Sequence, residues 1–178
     1  HNSDVTFDYR NGLSVFDKEH KPIKFENFMK KSSLSNDEIS DLKAIFARST
    51  IIVEYTGNPI LNQFIGILAE VKSSNIIISC TNDRDLADLM QFKNRANISF
   101  HMSSVLTVIE NQDKVDYVFA SSRSFPLDLN IDEQCAIYNV KHYNDVIKIC
   151  ANKKVKELYL ISNSDSMYLS TVSGLAQR

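Results

Sequence analysis

Two runs rich in β-branched residues, Thr50-Ile-Ile-Val-Glu-Tyr55 and Asn75-Ile-Ile-Ile-Ser-Cys80, each lead directly into a helix-start signal. No other feature of the chain constrains its fold as much. Such runs read as buried strands. Between them, Thr56-Gly57-Asn58-Pro59 ends the first strand and opens a helix. Asn58 suits its N-cap and Pro59 its first helical position. Ile60, Leu61, Phe64, Ile65, Leu68 and Val71 then supply one apolar stripe. Thr81-Asn82-Asp83 caps a second helix, which carries Leu86, Leu89 and Met90. A strand–helix–strand–helix unit over residues 50–95 implies a parallel pair with a right-handed crossover.

The flanks extend this pattern. Ser35-Asn-Asp-Glu38 is a capping box, followed by Ile39, Leu42, Ile45 and Phe46 on one helical face. His101 to Ser124 reads as a hairpin, with strands from Ser104 to Ser121 meeting at the polar turn Asn111-Gln112-Asp113-Lys114. A loop containing Pro126 follows, then a strand at Gln134–Val140, a helix marked by Tyr143, Val146, Ile147 and Cys150, and a strand at Lys156–Ser162. A serine-rich segment, Ser162 to Ser173, comes last. The expected fold is a single α/β domain, with a mixed, mostly parallel sheet, helices on both faces and one β-hairpin. Residues 1–34 read as a lead-in or linker and residues 35–178 as the domain.

Composition narrows the function classes. With 43% hydrophobic and 24% charged residues the chain is of ordinary globular type. A net charge of −2 argues against a dedicated nucleic-acid surface, so such contact is expected only through a domain outside this chain. The chain opens on His1 and closes on Leu-Ala-Gln-Arg, which reads as a domain excised from a longer protein. No apolar run approaches the roughly 20 residues of a membrane span. Cys80, Cys135 and Cys150 have no paired spacing and read as small buried hydrophobes of a reducing, cytoplasmic protein.

Neither G-x-G-x-x-G nor G-x-x-x-x-G-K-[ST] occurs, so neither familiar nucleotide loop is expected. H-E-x-x-H, C-x-x-C and G-x-S-x-G are missing too, so no metal, no cofactor and no catalytic residue is assigned. His142 reads as a helix cap and His101 as a structural or loop histidine. The candidate ligand-binding residues are those at strand ends: Thr56, Gly57 and Asn58, then Asp83, then Ser121, Ser122, Arg123 and Ser124. Helix N-termini attract anions at such edges, and hydroxyls beside the planar fork of an arginine suit a phosphate or sugar.

From Ser35 to about Lys153 the order of elements resembles one half of a phospholipase-D-like fold. That family carries H-x-K-x-x-x-x-D and a Gly-Ser pair after the hairpin's second strand. His101 takes the histidine position, but Ser103 and Val108 stand where lysine and aspartate belong, and Glu110 is two residues late. Ala120-Ser121 stands for the Gly-Ser pair and Glu133 for a following acidic residue. The resemblance implies a catalytically dead member. The expected function is therefore a non-catalytic ligand-sensing or regulatory domain of a transcription regulator or signalling protein. It would bind a small polar, anionic or sugar-like ligand such as a sugar phosphate, and is compatible with a homodimer. One alternative is a sugar-isomerase-type regulatory domain, which the serine loop Ser121–Ser124 resembles. Another is a divergent phosphodiesterase using His101 and Glu110.

Overall fold

The structure, a computed structural model, describes residues 5–6, 15–16, 22–23, 34–122, 131–161 and 169–173. In chain order its elements are β1 (Val5–Thr6), β2 (Val15–Phe16), β3 (Pro22–Ile23), α1 (Asn36–Phe46), β4 (Thr50–Glu54), α2 (Pro59–Leu68), β5 (Asn75–Cys80) and α3 (Asp83–Leu89). A 3-10 turn (Met90–Phe92), β6 (Ile98–Met102), α4 (Val105–Glu110), β7 (Tyr117–Ser121), α5 (Ile131–Asn152), β8 (Glu157–Ile161) and β9 (Leu169–Ser173) complete them.

Seven strands form one sheet in the order β1-β9-β8-β7-β4-β5-β6. The five from β6 to β8 are all parallel, and β9 joins β8 antiparallel, with β1 antiparallel beyond it. β2 and β3 pair separately. The expected α/β class, with its mixed and mostly parallel sheet, is what the chain adopts. Its strand order is that of a doubly wound, Rossmann-type sheet.

Alternation along the central strands explains the two layers. Ile51, Val53, Ile76, Ile78, Phe119 and Tyr159 face one side, against Leu42 and Phe46 of α1, the apolar stripe of α2, and Leu89 and Phe92. Ile52, Ile77, Val118, Leu158 and Leu160 face the other, against Val105, Val108 and Ile109 of α4 and Val146 and Cys150 of α5. On the first side aromatic rings interlock, with Phe119 and Tyr159 stacked at 4.5 Å between centroids. The capping box forms as expected: Ser35's hydroxyl accepts from the Glu38 N–H, and Glu38's carboxylate accepts from the Ser35 N–H, each at 3.2 Å.

Three local expectations fail. Residues 105–110 are helix α4 and not the first arm of a hairpin, because Val105, Val108 and Ile109 recur at helical spacing and Ser104 caps them. Gln134–Val140 belongs to α5 and not to a strand. His101 does not precede a strand but lies within β6.

At the N-terminal edge a buried carboxylate joins three strands. Asp116 Oδ2 accepts the Thr50 N–H at 2.8 Å, its own N–H donates to the Thr50 carbonyl, and its carbonyl accepts the Lys156 N–H. Asp116→Ala leaves the half-buried Thr50 N–H without its acceptor, which costs about 1–3 kcal/mol. Urea denaturation should show that loss, whereas Asp116→Asn keeps an acceptor and loses less.

Nearby, Tyr159 donates its hydroxyl to Glu157. Burial pushes the Glu157 carboxyl up, and the Tyr159 hydrogen bond and the Lys156 charge only partly offset that. A carboxyl with a raised folded-state pKa favours folding below its unfolded pKa, and that contribution is lost as pH rises through the folded value. Glu157→Gln, neutral throughout, should therefore gain stability relative to the parent chain between about pH 4 and pH 7. A stability difference that stays constant with pH would contradict this.

Candidate ligand crevice at the sheet switch point

From β4 the chain turns to β5 on one side of the sheet, while β7 lies on the other side of β4. The helix after β4 packs on one face and the helix after β7 on the opposite face. The two connections therefore diverge at the C-terminal ends of β4 and β7, the switch point of the sheet. In open α/β sheets this is where ligands bind.

A polar cluster lies there. Glu54, the last residue of β4, is buried among apolar neighbours and must be paired. Its Oε1 accepts the Ser121 N–H at 2.8 Å and lies 2.9 Å from His142 Nε2 of α5. Thr56 Oγ1 lies 2.8 Å from Ser121 Oγ and donates to the Ser122 carbonyl at 3.2 Å. Ser122 in turn donates its N–H to the Ile161 carbonyl of β8. Side chains 65 to 88 residues apart in sequence thus tie the ends of β4 and β7 to each other and to α5, and a backbone bond adds β8.

Beyond Thr56 the chain turns on Gly57, at φ +90°, a conformation that L residues rarely hold. A Cβ there would stand 3.2 Å from Asp85 Oδ1, so the turn after β4 rests directly against α3. Asn82, not Asp83, is the N-cap of α3: its side-chain oxygen accepts the Asp85 N–H at 2.8 Å. Asp83 is exposed in the first turn. Tyr55 donates its hydroxyl to Asp88 at 3.0 Å, and burial, helped by that bond, holds the phenol above its ordinary range. Burial first, and the Asp85 charge second, push the Cys80 thiol up.

Of the residues expected to bind ligand, Thr56, Ser121 and Ser122 come together, Gly57 and buried Asn58 form the adjoining turn, and Asp83 stands at the neighbouring strand end. Arg123 and Ser124 lie outside the described residues. Glu54, His142 and Asp85 were not anticipated. The available signal was a carboxylate closing an apolar strand, since a buried charge needs a partner. His142 is no helix cap; it sits within α5. His101 is exposed on β6, and Glu110 lies at the far end of α4, so the two share no site. Cys80 and Cys150 are buried free thiols, and Cys135's side chain is outside the description. Among the described residues no His, Cys, Asp and Glu cluster fits a metal, and no helix is long and apolar enough to cross a membrane.

No family model and no curated protein matches the chain. Solved structures do. The structure of PH0851 aligns with a TM-score of 0.51 at 7% identity, over 86% of this chain and 41% of its own. The 23S rRNA methyltransferase ErmE aligns at 0.45 and 9%, over 72% of this chain and 46% of its own. NSun6 from Pyrococcus horikoshii aligns at 0.49 and 9%, over 70% and 35%. At such identities the likeness is one of fold alone. This chain spans less than half the length of each of these three.

These findings correct the earlier expectations. The fold is not phospholipase-D-like: the strand order is that of a doubly wound sheet, and the hairpin that resemblance needs is absent, residues 105–110 being helix. The reading as a non-catalytic regulator or sensor of transcription falls with it, as do the sugar-isomerase and phosphodiesterase alternatives. The sugar-like ligand goes with the resemblances that suggested it, and the carboxylates Glu54, Asp83, Asp85 and Asp88 at the strand ends oppose a small anion.

Gly57→Ala tests the turn. The strained backbone and the approach to Asp85 should cost about 1–3 kcal/mol in urea denaturation. An unchanged midpoint would show that the turn tolerates a side chain.

Proposed function

We propose that the crevice binds S-adenosylmethionine and that the chain is a methyltransferase-type domain. The observation that carries this reading is the acidic switch point: the Gly57 turn is set between Glu54 and Asp85, with Asp83 and Asp88 beyond. A phosphate-bearing cofactor would meet repulsion there. A ligand whose sulfonium and ammonium groups are positive would meet attraction.

The donor set fits such a molecule in part. The backbone of the Gly57 turn, bare of a Cβ, can approach a ligand closely. In dinucleotide-binding sheets a carboxylate near the end of the second strand holds the ribose hydroxyls. Here the strand ends in Cys80, and Asp83, three residues on and exposed, takes that role in the proposal. Thr56 and Ser122 sit where they would orient the group to be modified. When bound, the cofactor supplies a methyl group on a positively charged sulfur, which departs as a neutral thioether.

Isothermal titration with S-adenosylmethionine and with its demethylated thioether checks the reading. Saturable binding is expected, and Asp83→Asn should weaken it about tenfold, or about 1.4 kcal/mol. At a ligand concentration of 100 Kd the fold should gain about 2.7 kcal/mol against urea. Failure of both ligands to bind at millimolar concentration would end the proposal.

A further inference from the structure

Opposite the crevice, the loops that enter the five parallel strands share a second edge. Their order across the sheet follows the strands: 153–156, 111–116, 47–49, 71–74 and 93–97. Hydrogen bonds stitch them into one rim. Lys156 N–H donates to the Asp116 carbonyl, Asp116 N–H to the Thr50 carbonyl, Arg48 N–H to Ser73 Oγ, and Ile76 N–H to the Asn97 carbonyl. Five strands at about 4.8 Å spacing make the rim roughly 19 Å long.

Each of these loops carries an exposed cation: Lys154 and Lys156, Lys114, Arg48, Lys72 and Lys93. Lys114 and Lys156 both lie 3.7 Å from the single buried Asp116, and Arg95 in the same rim pairs with Glu70 at 3.4 Å; the other four make no ion pair among the described residues. Helices α1, α2, α4 and α5 also end here. Cations at helix C-termini are an ordinary complement to the helix dipole, about half a negative charge per helix. Four such ends amount to about two charges, and Asp113 and Asp116 add two more, so the rim stays net positive. The chain as a whole has 20 basic and 22 acidic residues. Among the described residues this edge therefore gathers cations, with Arg84, Lys141 and Lys148 lying off it.

We propose that this rim is a docking surface for the phosphate backbone of a nucleic acid. A row of cations that spans several phosphates, with no aromatic side chain in the rim loops to stack on a base, suits sequence-independent contact. An anionic membrane is the weaker match, because stable membrane attachment adds apolar insertion to charge. The exposed large hydrophobics among the described residues, Met90, Met102 and Val140, all lie outside the rim loops. The surface does not depend on what the crevice holds. A strand of five residues separates the two edges by about 17 Å, so the rim anchors a nucleic acid rather than presenting its bases to the crevice.

Fluorescence anisotropy with a labelled 20-nucleotide oligo(U) tests this between 50 and 300 mM salt. Binding should weaken with salt, with a log–log slope of about −0.7 per phosphate contacted. The variant Lys72→Glu/Lys93→Glu/Lys154→Glu, whose lysines make no ion pair among the described residues, should raise Kd at least about tenfold and flatten the slope by about 2. Arg84→Glu/Lys141→Glu/Lys148→Glu changes net charge equally but lies off the rim, and should leave Kd within about threefold. Circular dichroism verifies folding, and glutamine replaces glutamate if the rim variant unfolds. Absence of RNA binding at 50 mM salt, equal loss in both variants, or binding of phosphatidylserine vesicles but not RNA would each overturn the proposal.

Discussion

Burial of β4 on both faces is the constraint from which the rest of the molecule follows. Ile51 and Val53 need cover on one side and Ile52 on the other. A single helical layer cannot supply both. The chain must place α2 and α5 on opposite faces, and that divergence is what makes the switch point beside the same strand. At its last residue the strand breaks its own apolar rule with Glu54, and a charge removed from water has to be met. Ser121 and His142 meet it, so the cost of burying one carboxylate is offset by fixing where β7 and α5 stand.

The sheet's centre was plain in the sequence because its strands are fully buried and so read as unbroken apolar runs. Thr50–Glu54 and Asn75–Cys80 emerged within a residue of their expected bounds. Residues 105–110 did not, since Val-Leu-Thr-Val-Ile is a strand by composition and a helix by period. The period decided, because α4 has a sheet face to cover. Gln134–Val140 failed in the same way, its β-branched members overruled by continuity with the stripe of Val146 and Cys150. β6 went unseen because a half-exposed edge strand has little apolar signature.

The site was legible only in so far as it depends on strand ends. Thr56, Ser121 and Ser122 could be placed at one edge by counting elements, and they do meet. The Glu54–His142 contact joins residues 88 apart through the packing of α5, and no local pattern encodes it. The cationic rim was hidden for a related reason. A net charge of −2 gives no hint of the lysines gathered in the rim loops, and only the parallel topology brings those loops to one edge.

α5 contains 22 residues, whereas β8 beside it has five. Its lower half is seated in the core by Val146 and Cys150, and His142 and Tyr143 are level with the sheet's C-terminal edge through Glu54 and Ile161. The eleven residues before His142 therefore rise about 16 Å above that edge. Mechanically this helix is a lever clamped at its foot. A tilt of about 5° at the clamp displaces the tip by roughly 1.4 Å over that arm, enough to make or break a hydrogen bond. At the sheet edge that clamp consists of two contacts, His142 on the Glu54 carboxylate and Tyr143 on the Ile161 carbonyl.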